Sequence, residues 1–76
     1  MIEVPATMIS NVWKVEVQVG QVVAGGSVVV VLEAMKMEIA VRIPSGPGNF
    51  KVEGILKESG DTVEAGDVLI LLSKVP

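Results

Sequence analysis

The fold is decided by a pattern that the chain carries twice: GQVVAGGSVVVVL at residues 20–32 and GDTVEAGDVLILL at residues 60–72. Two glycines and two valines of each copy fall in register across an offset of 40, without a gap. Each copy therefore predicts a glycine-supported turn that leads into an apolar strand. Because a doubled half-motif usually folds into two equivalent halves, we expect a quasi-twofold axis.

The wider composition predicts an all-β protein. Sixteen of the 76 residues are valine, and branching at Cβ favours the pleated strand over the helix. Strand patterns occur at residues 13–19, 22–23, 28–32, 37–43, 52–57 and 68–72, and Val63 stands between two turns at residues 59–61 and 64–67. Gly54 predicts a bulge inside the fifth of these strands, and Trp13 falls on the apolar face of the first, where we expect it in the core. Seven or eight short strands and no helix predict a small sandwich or flattened β-barrel.

Length and composition also limit the function. With 76 residues, the chain has room for one domain, residues 1–76. It lacks cysteine and histidine, which removes thiolate metal ligands, the usual general base and the commonest metal ligand, so we expect no catalytic residue and no metal site. A net charge of −3 with 3% aromatic residues argues against nucleic acid as a partner.

The predicted location of the protein is inside the cell. The longest apolar run, Val28–Leu32, is far too short to span a membrane. No secretory signal pattern opens the chain, and the lack of cysteine fits a reducing compartment. We therefore expect the cytoplasm, or the mitochondrial or plastid matrix of a eukaryote, and no membrane partner.

The two copies differ in the residues that come after them. After Leu72 only four residues remain, whereas after Leu32 the chain continues as Glu-Ala-Met-Lys-Met-Glu, residues 33–38, into another strand. The first copy thus predicts a hairpin tip that lies, by the twofold, at the opposite end of the molecule from the C-terminus. The tip carries Lys36 between two methionines, although turns normally take Gly, Asn, Asp or Pro. A solvated lysine amine is a poor unaided nucleophile, but it is an accessible target for modification by another enzyme.

Residues 33–38 resemble the signature of biotinyl domains, the biotin carboxyl carrier family within the biotin/lipoyl attachment domains. Residues 11–15 look like the opening strand of that family, and residues 20–26 and 60–67 resemble its Gly-Asp-x-Val-x-x-Gly turn. The resemblance covers nearly the whole chain. Residues 11–15 are also similar to those of single-domain attachment proteins and urea-type carboxylases.

The resemblance implies a flattened β-barrel of two four-stranded sheets, a barrel-sandwich hybrid with quasi-twofold symmetry. It implies biotin joined to Lys36 by an amide bond, which a biotin protein ligase forms from the adenylate of biotin. The biotinyl-lysine would act as a swinging arm that a biotin carboxylase loads with CO2 and a carboxyltransferase unloads. The domain would be monomeric and would catalyse none of these steps.

The resemblance also implies roles for the neighbours of Lys36, namely Glu33, Ala34, Met35 and Met37. The methionines would fit the tip to partner enzymes, and Ala34 needs only to be small. For Met37 the alternative is that it packs inward at the start of its strand. Glu33 and Glu38 either help the ligase to tell this tip from a lipoyl tip or are simply solvated.

The sequence departs from the family in two places. The link at residues 43–50 is longer than the family's short Ala-Pro-x-x-Gly link, which leaves the shape of that bend open, and Ser10 stands where a glycine is common. Two other functions stay open. One is a lipoyl carrier on the same fold, although lipoyl tips usually read Asp-Lys-Ala; the other is an interaction module whose lysine is never modified.

Overall fold

The computed structural model describes all residues, Met1–Pro76, and contains eight strands and no helix. The strands are β1 (Ile2–Pro5), β2 (Ser10–Val15), β3 (Val22–Ala24), β4 (Val28–Ala34), β5 (Met37–Arg42), β6 (Asn49–Ile55), β7 (Thr62–Val63) and β8 (Val68–Val75). No segment forms a helix long and apolar enough to cross a membrane.

The strands form two antiparallel four-stranded sheets that enclose one apolar core. One sheet has the order β1-β8-β6-β3 and the other β5-β4-β2-β7. The two apolar runs of the repeat, β4 and β8, lie in different sheets and bury Val29, Leu32, Leu69 and Leu72 completely. The predicted all-β barrel of two four-stranded sheets is therefore confirmed.

The hydrogen bonds between the halves show the quasi-twofold directly. The N–H of Gly20 donates to the carbonyl of Val52 over 2.8 Å, and the N–H of Gly60 donates to the carbonyl of Val12 over 2.9 Å. The return bonds, from the amides of Val52 and Val12 to carbonyls of the two turns, are 2.9 and 2.8 Å long. Adding or subtracting 40 converts the residue numbers of one set of bonds into those of the other. The turn of the first copy is therefore bonded to β6, and the turn of the second copy is bonded in the same way to β2.

The two glycine turns share one backbone conformation. Gly20 and Gly60 have φ angles of 91° and 95°, and Gly26 and Gly66 have φ angles of 83° and 90°. Residues with a side chain rarely adopt this left-handed backbone conformation, because their Cβ comes too close to the following carbonyl oxygen. The repeated glycines are thus explained by turn geometry, as the pattern predicts.

A bulge recurs at the same place in both halves. The register of β2 against β4 shifts between Val12 and Lys14, and that of β6 against β8 shifts between Val52 and Gly54. The bulge predicted at Gly54 is confirmed. Its counterpart in β2 is not visible in the sequence, because no glycine marks it.

The bulge in β2 makes the prediction of a buried Trp13 wrong. Val12 points inward and is 2% exposed, whereas Trp13, the extra residue of the bulge, is 42% exposed. An extra residue breaks the alternation that the sequence pattern assumes. The ring of Trp13 lies on the outer surface, where the Lys14 ammonium nitrogen is 4.6 Å from its centroid. The predicted strand 13–19 is wrong in its bounds too, since β2 ends at Val15.

The long link between β5 and β6 folds back onto the turn after β3. The N–H of Gly26 donates to the carbonyl of Pro44 over 3.3 Å, and the N–H of Gly25 donates to that of Gly48 over 3.4 Å. Gly25 packs so closely that a Cβ at this position would lie 2.7 Å from the carbonyl oxygen of Gly46. The added residues thus cap the end of the barrel that holds the C-terminus.

Candidate functional site

A two-residue turn at Met35 and Lys36 joins β4 to β5. Ala34 and Met37 form the last cross-strand pair before it. The turn residues have φ angles of 51° and 65°, and positive φ at both central positions is characteristic of a type I′ hairpin turn. Asn-Gly is the usual choice there, and a side chain in this region costs about 1–2 kcal/mol per residue. The two long side chains therefore occupy the turn despite its backbone preference, as is common at functional sites.

The tip projects beyond the rest of its sheet. The last residue of β4 that pairs with β2 is Glu33, opposite Asn11, so from Ala34 onward the hairpin has no third strand. Lys36 is exposed, and none of the side-chain hydrogen bonds of the protein uses it. Its amine is held in solvent at one end of a molecule that measures 38 × 19 × 18 Å.

The C-terminus lies at the other end of the molecule, as predicted. Val75 pairs with Asn49, the first residue of β6, and Asn49 pairs with Ala24. The tip hairpin begins at this same end, where Val28 pairs with Arg42. The full length of β4 therefore separates the chain end from Lys36.

The side chains that flank Lys36 are open to partners. Met35 is 91% exposed and Met37 is 66% exposed, so Met37 does not pack inward. Glu33 and Glu38 are exposed and directly opposite each other. Like charges in this position destabilise a strand pair, which indicates that the two carboxylates are not there to stabilise the hairpin.

An open groove of about 300 Å³ lies beside the tip. We call it the tip groove, and it is lined by Met8, Ile9, Ser10, Asn11, Glu33, Ala34, Met35 and Thr62. The link before β2 supplies two exposed apolar side chains, Met8 at 40% and Ile9 at 64% exposure. The hydroxyl of Thr62 donates to Oδ1 of Asn11 over 2.9 Å. The groove thus has an apolar side and a polar side.

The predicted site residues come together in one hairpin. Glu33, Ala34 and Met35 line the tip groove, while Lys36 lies in the turn and Met37 is the first residue of β5. The residues of the tip groove that the sequence did not assign to the site are Met8, Ile9, Ser10, Asn11 and Thr62. The available signal was the apolar pair Met8-Ile9 in a link, a position where polar residues are the rule.

The family model described as "Biotin-requiring enzyme" matches residues 2–72 of the chain. A putative urea carboxylase of Emericella nidulans is 46% identical over 93% of this chain, which corresponds to 6% of the length of that protein. A biotin/lipoyl attachment protein of Bacillus subtilis is 42% identical over 87% of this chain and 86% of its own length.

The fold of the chain is similar to that of a segment of a solved carboxylase. A solved single-chain, multi-domain long-chain acyl-CoA carboxylase contains a segment that superposes with a TM-score of 0.87 at 27% identity, covering 99% of this chain and 7% of that one. The chain therefore spans a small part of these large enzymes and most of the length of the attachment protein. On its sequence and on its fold, the chain belongs to the biotin/lipoyl attachment domain family.

Proposed function

We propose that the protein is a biotin carboxyl carrier whose attachment residue is Lys36. The observation that carries the proposal is the presentation of one lysine at the apex of a strained two-residue turn that projects beyond its sheet. The proposed partners are a biotin protein ligase, a biotin carboxylase and a carboxyltransferase. The protein itself catalyses no step of the cycle.

The tip fits covalent attachment. The exposed amine of Lys36 can approach an activated carboxyl group without disturbing any side-chain bond of the barrel. In the proposed step the amine nitrogen bonds to the carbonyl carbon of biotinyl adenylate, AMP leaves with the bonding electrons of the acyl–oxygen bond, and the amine gives up a proton. The product is a neutral amide, so the net charge would change from −3 to −4 (−3 − 1).

The division of labour follows from the barrel. Biotin, when attached, supplies the ring that accepts and releases CO2, and the chain supplies its position. A rigid barrel with a flexible arm at one end keeps that ring near two active sites at high effective concentration. The exposed Met35 and Met37 give partner enzymes an adaptable apolar contact on either side of the arm.

The relatives support a carboxylase as the wider system. Two of them are themselves named carboxylases, one for urea and one for long-chain acyl-CoA. We infer that this chain serves the same class of reaction, with the other activities supplied by further domains or further chains. A cytoplasmic or organelle-matrix location would place it with these partners.

Intact-mass spectrometry after co-expression with a biotin protein ligase tests the proposal. We expect a gain of one biotinyl group that Lys36→Arg abolishes, because arginine keeps the charge but is not acylated. Lys74→Arg, at the opposite end of the barrel, is the matched control and should be modified like the parent chain. A gain only with lipoate ligase would make the protein a lipoyl carrier, and no gain with either ligase would leave an interaction module.

A further inference from the structure

We propose that the tip groove is a resting site for the biotinyl group attached to Lys36, an inference that rests on the proposed function. The groove is the one pocket of the protein. Its volume of about 300 Å³ is at the lower end of the range for small-molecule sites, which suits a small fused bicyclic ring. Met35 forms part of its wall and is the residue next to Lys36.

The polar side of the groove matches the edge of a cyclic urea. Asn11 and Glu33 are direct neighbours across β2 and β4. Because Oδ1 of Asn11 accepts the bond from Thr62, its amide N–H groups remain available as donors. The carboxylate of Glu33 beside them is an acceptor. A donor next to an acceptor is the complement of a ureido edge, which presents a carbonyl oxygen next to an N–H.

The apolar side of the groove matches the rest of the group. Met8, Ile9 and Met35 all expose a large part of their side chains. A thioether ring and an alkyl chain lying against them would remove apolar surface from water on both partners. Methionine adapts to the shape of such a ligand, since its side chain is unbranched and polarizable.

The tether makes a weak site sufficient. A group attached to Lys36 meets the groove at an effective concentration on the order of millimolar. A site too weak to hold free biotin would then still be populated by the attached group. The group divides between the groove and solvent, and partner enzymes capture the fraction that is undocked. Docking makes and breaks no covalent bond.

Nuclear magnetic resonance of the biotinylated and unmodified chains tests the resting site. We expect amide shift changes at Met8, Ile9, Asn11 and Thr62, which are far from Lys36 in sequence, and nuclear Overhauser effects between ring protons and the methyl groups of Met8 or Ile9. Shift changes confined to residues 34–38, with no such effects, would overturn the inference. A biotinylated chain without groove contacts refutes this inference alone, whereas a chain that the ligase does not modify refutes the proposed function as well.

Variants of the groove give a second readout. In the biotinylated chain, Asn11→Ala and Ile9→Ser should remove the Overhauser effects and speed capture by avidin, because the undocked fraction rises. Asn49→Ala and Leu56→Ser are the matched controls, since both residues are exposed and lie outside the groove. Equal capture rates for all five proteins would overturn the inference. Thermal midpoints of each variant show that the barrel is intact.

Discussion

The turns of the first and second repeats have the same backbone and different side chains. Their first glycines differ by only a few degrees in φ, at 91° and 95°. At four matching positions the first copy is neutral and the second is acidic: Gln18 and Glu58, Gln21 and Asp61, Ala24 and Glu64, Ser27 and Asp67. The acidic copy lies in the half of the barrel that carries Lys36, since Thr62 pairs with Asn11 and Asn11 pairs with Glu33.

This difference separates what the fold requires from what it leaves free. The side chain of Gln21 accepts a bond from the N–H of Gln18 over 3.0 Å, and that of Asp61 accepts one from the N–H of Glu58 over 2.8 Å. Both an amide and a carboxylate complete the turn. The turn at Gln21 and Asp61 therefore needs an acceptor and not a charge, whereas Asp67 accepts the N–H of Glu64 over 2.9 Å in a bond that has no counterpart at Ser27. Together the carboxylates give the tip end a negative surface that would attract a basic partner.

The largest effect on the free energy of unfolding is expected at a pair of buried leucines that occupy equivalent positions in the two copies. Leu32 and Leu72 are both 0% exposed and occupy the same place in the two copies. Leu32→Ala and Leu72→Ala should each lower the free energy of unfolding by about 2–5 kcal/mol, through lost burial and the cavity left behind. Denaturant unfolding measures both, and the milder Leu→Val changes serve if an alanine variant does not fold. A large difference between the two sites would show that the twofold of the backbone does not extend to the packing.

A smaller loss of unfolding free energy is expected at Gly25, where the long link packs against the turn of the first copy only. Gly25 and Ala65 are equivalent by sequence, but only Gly25 lies under the long link. Gly25→Ala should cost about 1–3 kcal/mol, because its Cβ would meet the Gly46 oxygen at 2.7 Å. Ala65→Gly, the reverse change at the exposed counterpart, should cost less than about 1 kcal/mol. Denaturant unfolding compares the stability of the two variants. Similar losses of stability would show that the 43–50 link moves to make room for the new Cβ at residue 25.

Relieving the backbone strain at the tip should stabilise the protein, in contrast to the two changes above. Met35→Asn should raise the free energy of unfolding by about 1 kcal/mol, because asparagine tolerates the left-handed region that methionine adopts there. Met37→Asn is the control: Met37 is also exposed, but it lies in β5 and does not have positive φ. That variant should not be stabilised. Equal responses of the two variants would indicate that the turn at Met35 stores no strain.

Most of the fold could be predicted because its specification is local and repeated. The glycine turns of both copies and the apolar runs in β4 and β8 follow from spacing alone. The tip hairpin follows from the asymmetry between the copies, and the choice of Lys36 as the proposed attachment residue follows from the resemblance of the tip to a family signature. Lys36 stays a prediction until its modification is measured.

The remainder could not be predicted because it depends on contacts between distant segments. The bulge that exposes Trp13 arises from the pairing of β2 with β4, and no residue in β2 marks it. The tip groove needs Met8, Asn11, Glu33 and Thr62 to meet, and three separate parts of the chain supply them. The fold of the 43–50 link depends on its contact with the turn at Gly25.

The smallest effect is expected from exchanging the acidic copy for the neutral one. Asp61→Gln places in the second turn the residue that the first turn uses at Gln21, so the bond to the N–H of Glu58 can be remade. The free energy of unfolding should stay within about 0.5 kcal/mol of the parent value. Asp61→Ala, which removes the acceptor altogether, is the control and should cost more, since the N–H of Glu58 loses its partner. Denaturant unfolding of the parent chain and the two variants shows whether the turn needs the charge of Asp61 or only a hydrogen-bond acceptor at this position. If glutamine is as damaging as alanine, the carboxylate is needed by the turn; if only alanine is damaging, the turn needs an acceptor and the charge is free to serve recognition at the Lys36 end.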